Sequence, residues 1–174
     1  MDFELYKHAV AAQFYADNGK LKDAFKEIKY CLSKDERNAE FHMILGSLYG
    51  MQKKSKKAIT EFLEALTLNP NIDAHAVLGA AYLNIGQIDQ AVTELTKVTV
   101  NDLNNFKVHN LLGVCFYRQK RFDDASRELI LALKINPNTP DVHGFLSKIY
   151  KKQGQHERAR QELEIEKKIQ KKIK

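Results

Sequence analysis

The sequence predicts an all-α fold: a solenoid of five helix–turn–helix units closed by a helical extension at the C-terminal end. Three observations predict it. Histidine recurs at His8, His42, His75, His109 and His143, spaced 34, 33, 34 and 34 residues apart. Around each histidine the apolar positions are separated by three, four or seven residues, the period of an amphipathic helix. Small residues recur in register with them, which lets two helices approach closely. No catalytic site needs a residue every thirty-odd positions, whereas a structural unit copied in tandem does. One helix pair cannot bury its own apolar face, but stacked neighbours can, so five units should share one continuous core.

Within each unit the first helix, helix A, carries the histidine. Ala11, Leu45, Leu78, Leu112 or Leu146 follows three residues later, and then comes a small residue, Ala12, Gly46, Gly79, Gly113 or Ser147. An aromatic ends helix A: Tyr15, Tyr49, Tyr82, Phe116 or Tyr150. Helix B holds an alanine in every copy, Ala24, Ala58, Ala91, Ala125 and Ala159, followed by Ile28, Phe62, Leu95, Leu129 or Leu163. Gly46 and Ala58 belong where the two helices cross. Gly19, Gly86 and Gly154 mark the turns of units one, three and five, where a left-handed conformation suits glycine. Lys53 and Lys120 stand there in units two and four, so those turns are expected to be strained or built differently. Thr139 and Pro140 read as N-cap and first residue of the last helix A. Residues 164–174 continue the last helix B, with Ile165, Ile169 and Ile173 on one side among five lysines. They read as a cap over the last unit, with a docking stripe for a second copy or an anionic membrane as the alternative.

This pattern resembles the tetratricopeptide repeat (TPR) family in period and in its L-G…Y…A…F…P positions. The resemblance covers units 5–38, 39–71, 72–105, 106–139 and 140–173, nearly the whole chain. It implies a single right-handed superhelical TPR solenoid over residues 1–174, with helix A on the concave face. The family usually places a large aromatic, often tryptophan, in the histidine slot, and this chain has no tryptophan. One stretch is more specific. Leu95, Lys97 and Val98, then Asn105, Phe106 and Val108, then Leu112, Gly113 and Val114 resemble the MamA family, the TPR scaffolds of bacterial magnetosomes. So do Val142 and His143, followed by Gly154, His156 and Glu157. That resemblance implies self-assembly into a coat on the cytoplasmic side of the organelle.

Composition bounds the function. No stretch approaches eighteen apolar residues, so no membrane span is expected. The start, Met1-Asp2-Phe3-Glu4, has no basic and apolar leader. The expected localisation is cytoplasmic, or peripheral on an intracellular membrane. Cys31 and Cys115 occupy different repeat positions and read as buried small residues in a reducing compartment. The net charge of +6 is uneven: residues 1–72 carry 11 basic and 10 acidic groups, 73–105 carry 1 and 4, 106–139 carry 6 and 3, and 140–174 carry 10 and 5. Such polarity steers an acidic partner to one end, or aligns copies head to tail. A shared metal is disfavoured: neighbouring helices pack about 8–10 Å apart, whereas zinc ligands sit about 2 Å from the ion. The histidines read as small aromatic fillers with a hydrogen bond at the polar edge. If they are buried neutral, acid should charge them and loosen the stack between about pH 6.5 and 5.

No phosphate loop, HExxH, CxxC or GxSxG is present, so no catalysis, cofactor, metal or small-molecule substrate is expected. The resemblance places positions 2, 5, 9, 12 and 13 of each helix A on a peptide-binding groove. Its N-terminal part offers Met43 and Met51 as adaptable contacts, then Asn84. Its C-terminal part offers Lys107, Asn110, Tyr117, Arg118, Lys148, Lys151 and Lys152, which suit an acidic segment. The Lys and Asn pair with which some family members clamp a chaperone's C-terminal carboxylate is absent from every unit. The function expected is a non-catalytic scaffold for a protein or peptide, with self-association as a coat. An adaptor of another bacterial machine, such as one for pilus assembly, is the alternative. RNA binding through the basic end is disfavoured by the neutral first half and the acidic third unit.

Overall fold

The computed structural model describes residues 2–173, apart from the side chains of Ile72 and Ile173. Among them lie ten α-helices and no strand. They alternate as helix A and helix B: α1 (Phe3–Asp17), α2 (Leu21–Lys34), α3 (Ala39–Met51), α4 (Ser55–Leu68), α5 (Ile72–Asn84), α6 (Ile88–Asn101), α7 (Phe106–Arg118), α8 (Phe122–Ile135), α9 (Pro140–Lys152) and α10 (His156–Ile173). Contacts gather the residues into two compact halves, Met1–Gln87 and Ile88–Lys174. In the first half α1 packs on α2 and α3 on α4, while α2 and α4 pack on the following α3 and α5. The second half repeats this scheme with α6 on α7, α7 on α8, α8 on α9 and α9 on α10.

Helix starts are set by local chemistry. Asp2, Asn38, Asn71 and Asn105 each accept a backbone N–H of the first turn of a helix A, which satisfies donors that the helix itself leaves open. Thr139 occupies the same place before α9 and Pro140 follows it as expected, but the Thr139 hydroxyl donates instead to the Asn136 carbonyl at 3.0 Å.

The turns between helix A and helix B share one geometry in all five repeats. The carbonyl of the recurring aromatic accepts from the first residue beyond the turn: Lys20 to Tyr15 at 2.8 Å, Lys54 to Tyr49 at 2.9 Å, Gln87 to Tyr82 at 3.0 Å, Arg121 to Phe116 at 2.9 Å and Gln155 to Tyr150 at 2.8 Å. This six-to-one bond needs a left-handed residue in between. Gly19, Gly86 and Gly154 supply it at φ 71°, 79° and 74°, and Lys53 and Lys120 adopt it at 58° and 61°. The lysine turns are therefore built like the glycine ones and carry the strain of a left-handed side-chain residue.

The cores sit where A crosses B. Leu5, Ala9, Ala12, Ala24, Ile28, Cys31, Phe41 and Leu48 form one cluster in the first half, and Ala58, Phe62, Leu78 and Ala81 form another. Ala125, Leu129, Val142, Leu146 and Ile149 form a cluster in the second half. A methyl group on Gly46 would lie 2.5 Å from the Phe62 ring, and one on Gly113 would lie 2.6 Å from Leu129. Cys31 and Cys115 are buried free thiols, and burial pushes the Cys115 thiol up to about 11.

Two stability changes follow, both readable by chemical denaturation. Lys120→Gly should stabilise the chain by about 1 kcal/mol, because it relieves the left-handed strain. Gly113→Ala should destabilise it by about 1–3 kcal/mol through overpacking against Leu129.

Candidate functional site

The recurring histidines are the most regular polar feature of the fold. Nδ1 of His8 faces Glu27 at 2.5 Å, His42 faces Glu61 at 2.8 Å, His109 faces Glu128 at 2.7 Å and His143 faces Glu162 at 2.6 Å. Each glutamate lies on helix B, three residues after the recurring alanine. The other ring nitrogen, Nε2, faces a backbone carbonyl in the segment entering the repeat: Glu36 for His42 at 2.9 Å, Leu103 for His109 at 3.1 Å and Pro137 for His143 at 3.2 Å. Each of these three rings thus ties helix A to helix B and to the incoming chain.

At His42 this geometry goes against a neutral buried ring. A carboxylate and a carbonyl are both acceptors, so a ring facing both keeps both bonds only with two protons shared along them. Partial burial of the His42 ring opposes its charge, but the bonds to Glu61 and to the Glu36 carbonyl and the nearby Glu64 outweigh it. His42 is held above its ordinary value. Among the described residues no three His, Cys, Asp or Glu side chains gather as a metal site.

The expected groove residues fall into separate recesses. Met43 lines one of about 360 Å³ with Ala39, Glu40, Ala65, Asn69, Asn71, Asp73 and Ala74. Met51 is 49% exposed at the end of α3. Asn84 lines a different recess with Lys53, Lys54, Ser55, Lys56, Lys57 and Ile85.

In the second half Asn110 and Lys148 meet. They line a recess of about 290 Å³ between α7, α9 and α10, together with Asp141, Gly144, Phe145, Ser147, Leu163 and Glu166. The Asn110 Oδ1 atom is buried and accepts no hydrogen bond. Gly144 keeps the recess open beside Glu166, since a methyl there would lie 2.8 Å from Glu166 Oε1. Tyr117 is packed rather than displayed: its ring centre is 5.9 Å from Phe122 and 5.8 Å from Phe145. Lys148 Nζ sits 5.0 Å from the centre of the Phe145 ring, which links the aromatic group to the recess. Lys107, Arg118, Lys151 and Lys152 are exposed.

Phe145, Leu163 and Glu166 were not anticipated as lining residues. Asp141 and Gly144 hold helix A positions 2 and 5, but Leu163 and Glu166 come from helix B, which the repeat register assigns to packing. The apolar side of the extension also opens a recess, of about 720 Å³, lined by Pro137, Asn138, His143, Ile165, Lys168, Ile169 and Lys172. The Ile173 side chain lies outside the described residues.

Sequence profiles of the tetratricopeptide repeat match residues 39–72, 77–142 and 140–164. The chain belongs to the tetratricopeptide repeat family. Its fold is also that of solved structures. A MamA structure from Desulfovibrio magneticus RS-1 superposes with a TM-score of 0.88 at 18% identity, over 99% of this chain and 98% of that one. MamA of strain MSR-1 gives 0.81 at 25% identity, over 99% and 100%. PilF of Pseudomonas aeruginosa gives 0.85 at 19% identity, over 94% of this chain and 75% of that one. No curated protein matches at the sequence level. The coarse function is that of a TPR protein-interaction scaffold. No helix of the described residues is long and apolar enough to cross a membrane.

The His42 geometry sets a pH dependence opposite in sign to the one expected from a neutral ring. A group held above its ordinary value in the folded state adds stability below about pH 6.5, and that stability is lost as pH rises through the folded value. The melting temperature should therefore fall as pH rises above about 6.5, and Glu61→Gln should flatten the slope. A wild-type melting temperature that climbs as pH rises above about 6.5 would contradict the doubly bonded ring.

Proposed function

We propose that the chain is a non-catalytic scaffold that binds an extended peptide or helix along its helix A residues. The observation that carries this reading is the recess around Asn110. A buried amide oxygen without a donor costs about 1–3 kcal/mol, and a passing peptide N–H would satisfy it. Lys148 at the same recess, with Lys107, Lys151 and Lys152 exposed on the same helices, favours an acidic side chain in the ligand. Met43 and Met51 suit an apolar segment of that ligand. Tyr117 serves the site by backing Phe145, and Arg118 and Asn84 add polar contacts.

The likeness to MamA structures at both high coverage and high TM-score supports a narrower version. In it the chain is a single TPR solenoid that assembles with its own copies as a coat on the cytoplasmic side of a magnetosome-type organelle. The likeness to PilF supports the second reading, an adaptor in a pilus-type machine.

Light scattering of the purified chain separates the two. The coat reading expects particles that grow with concentration, and the adaptor reading expects a monomer throughout. If the Asn110 recess takes part in self-association, Asn110→Ala with Lys148→Glu should abolish that growth. Asn110→Ala alone should leave the melting temperature unchanged or raise it, because the lost oxygen had no partner. Growth that persists in the double variant would remove the recess from the assembly.

A further inference from the structure

Four of the five B helices open with an acidic side chain in the first turn: Asp23 in α2, Asp89 in α6, Asp123 and Asp124 in α8, and Glu157 in α10. That placement suits the positive end of the helix dipole. Helix α4 has no acid there, and Lys56 and Lys57 take the place instead, with Lys53 and Lys54 just before the helix start at Ser55. Local helix energetics alone would not select four lysines at this end.

The same position serves a second purpose in the C-terminal half. The second residue of helix B is clamped to the residue that caps the following helix A: Gln119 Nε2 donates to Asp89 Oδ1 at 2.7 Å, and Gln153 Nε2 donates to Asp123 Oδ1 at 2.7 Å. Between the second and third repeats the corresponding residues are Lys56 and Ile85. A lysine and an isoleucine cannot form this bond. A recess of about 390 Å³ opens there, lined by Lys53, Lys54, Ser55, Lys56, Lys57, Asn84 and Ile85. Lys57 Nζ lies 5.5 Å from the centre of the Tyr49 ring. No ion pair with a carboxylate is made by any of the four lysines among the described residues. The place that a carboxylate fills in later repeats is thus lined by uncompensated positive charge.

We propose that this recess binds the phosphoryl group of a phosphorylated ligand. Four lysines are compact point charges that can converge on a dianion. A single carboxylate is matched better by the planar fork of arginine, and no arginine lines the recess. The Ser55 hydroxyl and the Asn84 amide add neutral donors beside the charges. The shared chemistry is the phosphate ester, carried by a soluble molecule or by a lipid headgroup. This site is independent of the Asn110 recess.

The test uses the full chain. Inorganic pyrophosphate is titrated by calorimetry, and vesicles of phosphatidylcholine with or without phosphatidate are used in flotation. Lys53→Gln with Lys56→Gln should weaken pyrophosphate binding at least tenfold, while Lys167→Gln with Lys168→Gln, which removes the same charge from the tail, should leave it within twofold. Flotation with phosphatidate vesicles alone, lost in the first variant, assigns the headgroup as source. Pyrophosphate binding without flotation assigns a soluble ester. A second variant, Lys56→Asp with Ile85→Gln, installs the clamp found in the later repeats; it should raise the melting temperature and abolish binding. Absence of binding to either probe, equal loss in both lysine pairs, or full binding by the clamped variant would overturn the assignment.

Discussion

Everything in this fold depends on the close crossing of helix A over helix B. The crossing is made by a small residue on one helix facing a large one on the other, as Gly46 faces Phe62 and Gly113 faces Leu129. The recurring alanine beside them is fully buried in α2, α4, α6 and α8. No room remains for a methyl group, so the two helices have one packed arrangement rather than several. Every other feature is placed by that arrangement, because the position of a residue along helix A decides which neighbour it meets.

The histidine–glutamate pairs show what the crossing makes possible. A tryptophan-sized filler would contribute only apolar area. Histidine contributes less area and adds two directed bonds, one to helix B and one to the incoming chain. Side-chain exposures of 6% for His109 and 9% for His143 leave little water to replace those bonds, so losing one partner would strand the other. The repeat is thus locked by polar geometry as well as by packing.

Departures from the internal pattern are as informative as the pattern. Lys56 and Ile85 break a clamp that Asp89–Gln119 and Asp123–Gln153 maintain, and the break coincides with unpaired charge. Asn110 places an amide where other repeats carry Ala9, Met43, Ala76 and Gly144, and its oxygen is left without a donor. Sequences violate local preference mainly where something other than stability is served.

The sequence by itself determined the repeat, the helix pairing, the crossing residues and the burial of both cysteines, because period and residue size are one-dimensional properties that fix a helix face. The left-handed turns at Gly19, Gly86 and Gly154 were legible for the same reason. Only the tertiary structure decided that Lys53 and Lys120 adopt the same turn, that Tyr117 packs against Phe122 and Phe145, and that Leu163 and Glu166 of helix B border the Asn110 recess. It also decided the direction in which the His42 charge is held. In His42, His109 and His143 each ring nitrogen meets an atom 19 residues ahead or six residues behind, and those partners are chosen by the crossing angle, which no reading of a single helix face contains.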